Sequence, residues 1–560
     1  IRQRTFFFVD YQGTRIRQAQ TDVSTVPTLA ERGGDFSDLQ FPIFDPLTTN
    51  PVTGVRTAFP NNVIPACSGT TGRSASGGSC LDPAALNVVN LFPAPNIPGA
   101  GSANNFLFNP NLKNNQDSFD IRVDHEVSTH NSLSVNFDYG TVDAVRPDPF
   151  PGNAGGGLFS GNISNKSLAA GISDLYSFSD NKINELKIGY MRYVVAATPF
   201  FEGQALAQQL GIPGINDPNN LTITGGLPNI GISGLSNLGN QDFFPEFLHE
   251  NNYQILDSFT YLHGRHAFKM GVDLKRKKHG FFQTQNPRGD LFFDGQFTED
   301  LNNTSANPGS PLASFLIGNP ISAFRDGQKG NFGMSWWEIS AYFMDDFRVS
   351  PKLTLNLGLR YDIFTPEVEE HNRLANFDFA TGQFVEAGMP GVSRSGNVVT
   401  NLHNFAPRIG FAYTPFDDNK TVLRGGFGIF YDLQANQNDA ELAFNPTGLF
   451  GSQSIQSAPS AIPPMRLSTG FPNALPFPTL ADPSGRASAA FFNNPTTYIE
   501  EWNLNVERQL AKDTVLQVAY VGTHGVDLTF LRNLNQPVQP LDSNFEVCPV
   551  PTDPSCLTGL

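Results

Sequence analysis

"SWWEISAYFMDDFRVSPKLTLNLGLRYDIF", Ser335 to Phe364, alternates between apolar and polar side chains over nearly its whole length. Trp337, Ile339, Ala341, Phe343, Phe347 and Val349 share one parity, and Glu338, Ser340, Asp346 and Arg348 share the other. Beyond Ser350-Pro351 the alternation resumes, with Leu353, Leu355, Leu357, Leu359, Tyr361 and Ile363 against Thr354, Asn356, Gly358, Arg360 and Asp362. A period of two is the signature of a β-strand with one apolar and one polar face. Each run is about twice the usual strand length of roughly five or six residues. Strands this long, bulky on one side and charged on the other, need a physical reason.

The rest of the chain repeats the pattern. Alternating segments pair around tight turns: 118–127 with 132–139 around "STHN", 166–179 with 182–194 around "SDN", and 251–262 with 265–278 around "HGR". Three more pairs follow: 336–349 with 352–364, 405–415 with 420–432, and 501–510 with 513–523. Within a pair the turn is short. Between pairs the connections are long and rich in Gly, Pro, Asn and Ser: 141–165, 195–250, 279–335, 365–404 and 433–499. A further strand at 4–11 precedes a connection over 12–117.

Strict alternation of short and long connections is foreign to compact soluble β-domains, where very long structureless loops are uncommon. It is the habit of outer-membrane barrels, which have short periplasmic turns and long extracellular loops. The expected fold class is therefore all-β, an antiparallel transmembrane β-barrel. Lipid takes the apolar parity, a polar lumen takes the other, and bilayer thickness sets the strand length. With the short turns in the periplasm, 12–117, 195–250, 279–335, 365–404 and 433–499 become extracellular loops of one barrel domain spanning 1–560. One strand plus six pairs makes thirteen, an odd number that leaves two open edges, so this reading expects further strands after Leu560.

Composition agrees. The chain of 560 residues carries 52 Gly, 42 Pro and 49 Phe, with only 16% charged residues and a net charge of −16. That balance argues against a nucleic-acid partner, which calls for a basic face. No run of 18 apolar residues is present, so no transmembrane helix is expected, and a barrel would leave no such run. Cys67 and Cys80 form one close pair, and Cys548 and Cys556 another. Both sit among Gly, Ser, Pro and Asp. Paired-Cys metal sites want tighter spacing and further ligands. Local disulfides in an oxidising compartment fit better, with free surface thiols as the alternative.

Several segments resemble TonB-dependent receptors, and within them the Oar-like subgroup, whose complete members carry a carboxypeptidase-regulatory-like domain. The segments are "RTFFFVDYQGTR" with "TVPTLAERGGDFSDL", "IFDPLTTNPVTGVRTAFPNNVIPA", "LDPAALNVVNLFPAPN", "HAFKMGVDLKR", "YFMDDFRVSPKLTLNLGLRYD", "NFAPRIGFAYTP" and "VAYVGTHG". The resemblance implies a barrel of about 22 strands with a plugged lumen. It also implies contact with outer-membrane lipid and uptake energised by the TonB–ExbB–ExbD complex. The extracellular substrate is left open among oligosaccharide, peptide and chelate. The TonB box and plug that the family carries are not seen ahead of the barrel strands, and this reading places them upstream of Ile1.

The polar parity gives the candidate lumen residues: Asp120, Arg122, Asp124, Lys269, Asp273, Arg360, Asp362, Arg408 and Arg424. Against this stands the simpler view that a water-filled lumen tolerates charge anywhere. His263 and His266 in "HGRH" read as a solvated turn, and Asp345 and Asp346 as neighbours on opposite faces. "LRGGFGIF" lies inside a strand, so it is not a phosphate loop. Trp336, Trp337, Tyr342, Tyr361, Tyr413, Tyr431 and Trp502 are read as an aromatic girdle. No nucleophile arrangement, carboxylate pair, metal cluster or cofactor motif stands out, so no enzyme activity and no cofactor is expected. The competing functional reading is a structural or adhesive barrel that transports nothing.

Overall fold

The computed structural model describes residues 4–529 apart from 69–72, 153, 158, 241–242, 433–441, 459–462 and 484–486. Cys548 and Cys556 lie outside the described residues.

Thirteen long strands run in chain order across one antiparallel sheet. They are β1 (Thr5–Ala19), β2 (Asn111–Ser128), β3 (Asn131–Arg146), β4 (Gly161–Ser179), β5 (Lys182–Thr198), β6 (Glu246–His263) and β7 (His266–Gln283). The sheet continues with β8 (Phe332–Ser350), β9 (Leu353–Phe364), β10 (Phe405–Tyr413), β11 (Thr421–Tyr431), β12 (Tyr498–Ala511) and β13 (Thr514–Val526). Every strand pairs with its chain neighbours, so β1 and β13 are the sheet's edges among the described residues. An up-and-down order of this kind sends all short turns to one end and all long connections to the other. The turn between β6 and β7 shows why the short ends are tight. It holds only Gly264 and Arg265, and Gly264 has φ +60, a left-handed backbone that glycine adopts without a Cβ penalty.

The strands are longer than the alternation alone suggests. β1 runs on to Ala19 and β2 begins at Asn111, so the first long connection is 20–110 rather than 12–117. The others become 147–160, 199–245, 284–331 and 432–497, while 365–404 keeps its bounds. The added residues, such as "QGTRIRQA" and "NLKNNQDS", are polar on both faces. They still complete the backbone ladder, but they lie beyond the roughly 9–11 residues that a tilted strand needs to cross lipid. Without a lipid face there is nothing to enforce period two, so the sequence pattern fades before the strand does.

Most of the apolar core lies outside the long sheet, which contributes mainly Phe282 and the start of β8, Phe332, Met334 and Trp336. Of the largest fully buried side chains, Phe36, Phe150, Phe293, Phe297, Phe315, Ile43, Ile64, Ile212, Leu227, Ile230 and Ile232 all come from the long connections, and only Phe282 belongs to a long strand. Burying each such side chain contributes about 1.5–3 kcal/mol. Segments from three different connections weave a second sheet of four strands: Asn229–Ile232, Asp290–Phe293, Ser322–Gln328 and Phe450–Gln456. Two short helices, Pro83–Val89 and Pro311–Leu316, pack beside it, each with Pro in its first turn and an Asp82 or Ser310 side chain capping its first amides. The connections therefore form one packed cap at a single end of the long sheet.

Candidate functional site

Directly opposed residues of an antiparallel ladder point to the same face. The register can therefore be followed from strand to strand. Asp124 opposes Ser134, then Ser173, Lys187, Leu256, Asp273, Ser340 and Asp362. Lys269 opposes Met344, then Gly358, Arg408 and Gly428. Asp120 and Arg122 keep the parity of Asp124, Arg360 keeps that of Asp362, and Arg424 stands two residues before Gly426, which opposes Gly410 beside Arg408. All nine candidate wall residues thus share one face of the sheet. The other face carries Leu357, Leu359, Ile409, Leu504 and Val506, which are exposed.

On the polar face the charges are concentrated over β7–β9. Lys277 reaches Glu338 at 2.7 Å, and Lys275 lies between Asp273 at 3.4 Å and Glu338 at 3.7 Å. Arg360 donates to Asp362 at 2.8 Å and to the Ser340 hydroxyl at 2.6 Å, and that hydroxyl donates to Asp362 at 2.6 Å. Arg408 stands over the Phe430 ring at 4.4 Å. Toward β1 the wall turns acidic, since Asp10, Asp120 and Asp138 stand in one cross-strand row, and Arg122 holds Asp124 at 2.9 Å. At the far side Arg424 pairs with Glu507 at 2.7 Å. Lys269 has no ion-pair partner among the described residues. Glycines pair across the polar face: Gly171 opposes Gly189, and Gly410 opposes Gly426.

The cap is locked by buried polar nodes rather than by packing alone. The Arg325 guanidinium donates to Gln453, to the Gly214 carbonyl at 2.8 Å and to the Asn473 carbonyl, and it lies 4.3 Å over the Phe471 ring. One side chain thereby ties three connections together, and burial pulls its pKa down from the usual guanidinium value. Arg56 donates to the carbonyls of Gln296 and Glu299, both at 3.0 Å. Asp82 caps its helix, accepts from the Ser468 hydroxyl at 2.6 Å and faces Arg466 at 3.4 Å. Cys67 and Cys80 are disulfide-bonded, with Cα atoms 4.9 Å apart. Asp148 is buried, and that burial pushes its pKa up to about 7 although the Phe150 and Gly155 amides both donate to it at 2.9 Å.

Some sequence readings need correction. Trp336 and Tyr342 belong to the polar face, not to the outward aromatics, because they oppose Lys277 and Gly271. Trp336 is buried beneath the connections with Phe332, Met334 and Leu374, and the Tyr342 hydroxyl donates to Ser258 at 3.0 Å. Their even numbers carried this information. Trp337, Tyr361, Tyr413, Tyr431 and Trp502 do lie on the apolar face, opposing Arg276, Phe405, Leu353, Tyr498 and Gly522. His266 is not a free turn residue. It sits on the apolar face, stacks on Phe347 at 4.2 Å and shares a 2.7 Å hydrogen bond with Asp345. Among the described residues no cluster of three or more His, Cys, Asp or Glu side chains could hold a metal ion. The cap itself escaped sequence reading, which treated the connections as loops.

A long up-and-down antiparallel sheet with one lipid-compatible face, one charged face and all large connections at one end defines a membrane β-barrel. The chain belongs to the outer membrane beta barrel domain family, whose profile matches residues 1–555, and its place is the bacterial outer membrane. Solved structures that it is similar to include "the outer membrane transporter YddB from Escherichia coli", at 10% identity and TM-score 0.42, covering 74% of this chain and 40% of that one. The ferric-catecholate import receptor Fiu from K12 E. coli is similar at 13% identity and TM-score 0.37, over 74% of this chain and 51% of that one. The ferric yersiniabactin uptake receptor FyuA from Yersinia pestis is similar at 8% identity and TM-score 0.36, over 78% and 48%. The chain spans about half the length of these structures or less. No curated protein matches the chain.

Proposed function

We propose that the chain is the barrel portion of a TonB-dependent receptor of the Oar-like subgroup, which binds an extracellular ligand at its cap and passes it along the polar wall. The observation that carries this reading is the joint placement of cap and wall. The long connections fold into one body at the end of the face that bears Asp273, Lys275, Glu338, Arg360 and Asp362. In this reading the charged face is the lumen, the cap is extracellular, and a plug carried elsewhere in the full protein gates passage. Asp120, Arg122, Asp124, Lys269, Asp273, Arg360, Asp362, Arg408 and Arg424 line the route. TonB, ExbB and ExbD supply the energy, and the ligand is an oligosaccharide, a peptide or a chelate.

An adhesive barrel that transports nothing draws on the same cap, whose own apolar core keeps it folded without a ligand. Uptake by cells bearing the full-length protein separates the two. Accumulation of a panel of labelled oligosaccharides, peptides and chelates should rise with the protein and vanish when TonB is deleted. Accumulation indifferent to TonB, or cell adhesion with no accumulation at all, would remove the receptor reading.

A further inference from the structure

On the apolar face, three successive cross-strand rows over β5–β8 change character in order. The first row is Ile188, Ile255, Leu274 and Ile339, the second Tyr190, Tyr253, Arg276 and Trp337, and the third Arg192, Asn251, Lys278 and Ser335. Aliphatic gives way to aromatic and then to basic over four residues of each strand. Arg276 is the eleventh residue of β7 from its turn, just where a strand of about 9–11 residues has finished crossing lipid. These rows therefore sit at the lipid–water boundary at the cap end. They contain three cations and no carboxylate.

An open cavity of about 870 Å³ lies against Arg276 and Trp337 of the second row and Ser335 of the third, between the strands and the cap segments 391–400 and 492–493; Lys278 is outside its lining but directly opposes Ser335. Its lining includes Arg276, Trp337, Ser393, Asn397, Phe492 and Asn493, and no Asp or Glu. Arg276 lies 5.2 Å over the Trp337 ring and spends one hydrogen bond, at 2.7 Å, on the Ser335 hydroxyl. Neither Arg276 nor Lys278 has an ion-pair partner among the described residues. An unpaired guanidinium at a membrane boundary attracts an oxyanion, for which its planar fork is suited. Trp337 is 44% exposed and offers an aromatic platform, while the serine and asparagine groups offer both donors and acceptors. Cation, aromatic face and neutral hydrogen-bonding groups together suit a phosphorylated sugar.

We propose that this cavity seats the phosphorylated saccharide head of an outer-leaflet lipid, with Arg276 and Lys278 on the phosphate and Trp337 beneath the sugar ring. The site would tie the cap to the membrane surface. The inference rests on the proposed orientation, with the cap outside, and not on transport.

The test uses the full chain, purified in detergent, and three probes: a bis-phosphorylated disaccharide glycolipid (lipid A), its dephosphorylated form, and its fully deacylated, soluble phosphosugar. Binding is read by native mass spectrometry and by titration. Lipid A should bind, its dephosphorylated form should lose about tenfold or more, and Arg276→Gln and Lys278→Gln should each weaken lipid A binding to a similar extent. Trp337→Leu should weaken the dephosphorylated probe as well, which a purely electrostatic patch would not do. Unchanged heat-modifiable migration shows that each variant is folded. Equal binding of lipid A by wild type and Arg276→Gln would overturn the proposal, as would no binding. Binding of the deacylated phosphosugar as tight as that of lipid A would overturn the lipid source. Lipid A binding together with TonB-independent uptake would sink the receptor reading and leave this site standing.

Discussion

Replacing Leu359 with arginine puts the assignment of faces to a numerical test. Leu359 is the seventh of the twelve residues of β9, close to the middle of the strand. It opposes Phe343 on one side and Pro407 on the other, so no carboxylate is at hand to receive a new cation. The side chain is 47% exposed, which on this face means exposed to lipid. An arginine near the bilayer midplane of a barrel costs about 2–4 kcal/mol. Asn356→Arg is the control on the same strand. Asn356 donates to Asp346 at 2.5 Å on the polar face, so an arginine there gains an ion pair in a wet environment and should change stability by no more than about 1 kcal/mol. Folding of both variants into vesicles, followed by urea titration, gives the two free energies. Equal losses, or a larger loss for Asn356→Arg, would refute the assignment of lipid to the Leu359 face.

The Asp148 carboxyl, raised from 3.8 to about 7 by burial, holds its proton more tightly in the folded cap than in the unfolded chain. Its contribution is therefore fully present below about pH 4 and is lost as pH rises through 7, a change of about 4 kcal/mol. Asp148→Asn keeps an acceptor for the Phe150 and Gly155 amides and should flatten that slope in thermal melts between pH 4 and 8. An unchanged slope would show that the carboxyl is ionised throughout. Arg325→Met should loosen the cap by about 3 kcal/mol by orphaning the Gly214 and Asn473 carbonyls. Limited proteolysis should then cut within 199–245 and 432–497 while the long sheet stays folded. Simultaneous loss of both would refute this prediction.

The strands were legible because lipid imposes a strict rule on them. From Ser335 to Phe364, and in the five other hairpins, one face is predominantly apolar at every second residue, with Asp345, Asp257 and Asp174 as exceptions, and the register follows. The same rule puts the nine polar-parity residues on one face, since parity carries from strand to strand. It stops at the membrane boundary. Beyond it "QGTRIRQA" extends β1 with no apolar parity to betray it, so alternation alone starts the first connection too early. The cap was invisible for a different reason. Its core gathers Phe36, Phe150, Leu227, Phe293, Phe315 and Leu467 from five connections, and no local period links residues so far apart in the chain. Local signs existed. "LDPAALNVV" and "SPLASFL" each read as a capping residue, a proline and an apolar turn. The buried arginines gave no such sign, because Arg56 and Arg325 find their carbonyl partners only after the connections have packed.

Labelling of intact cells tests the central claim most directly. Val52, 91% exposed, lies in the first long connection, and Asp417, with its side chain 96% exposed, lies in the turn between β10 and β11. A membrane-impermeant maleimide applied to cells expressing the full-length protein should label Val52→Cys at once. It should reach Asp417→Cys only after the outer membrane is permeabilised, with the parent chain as background. Labelling of both positions in intact cells, or of Asp417→Cys alone, would contradict a barrel that crosses the outer membrane with its cap on the cell surface.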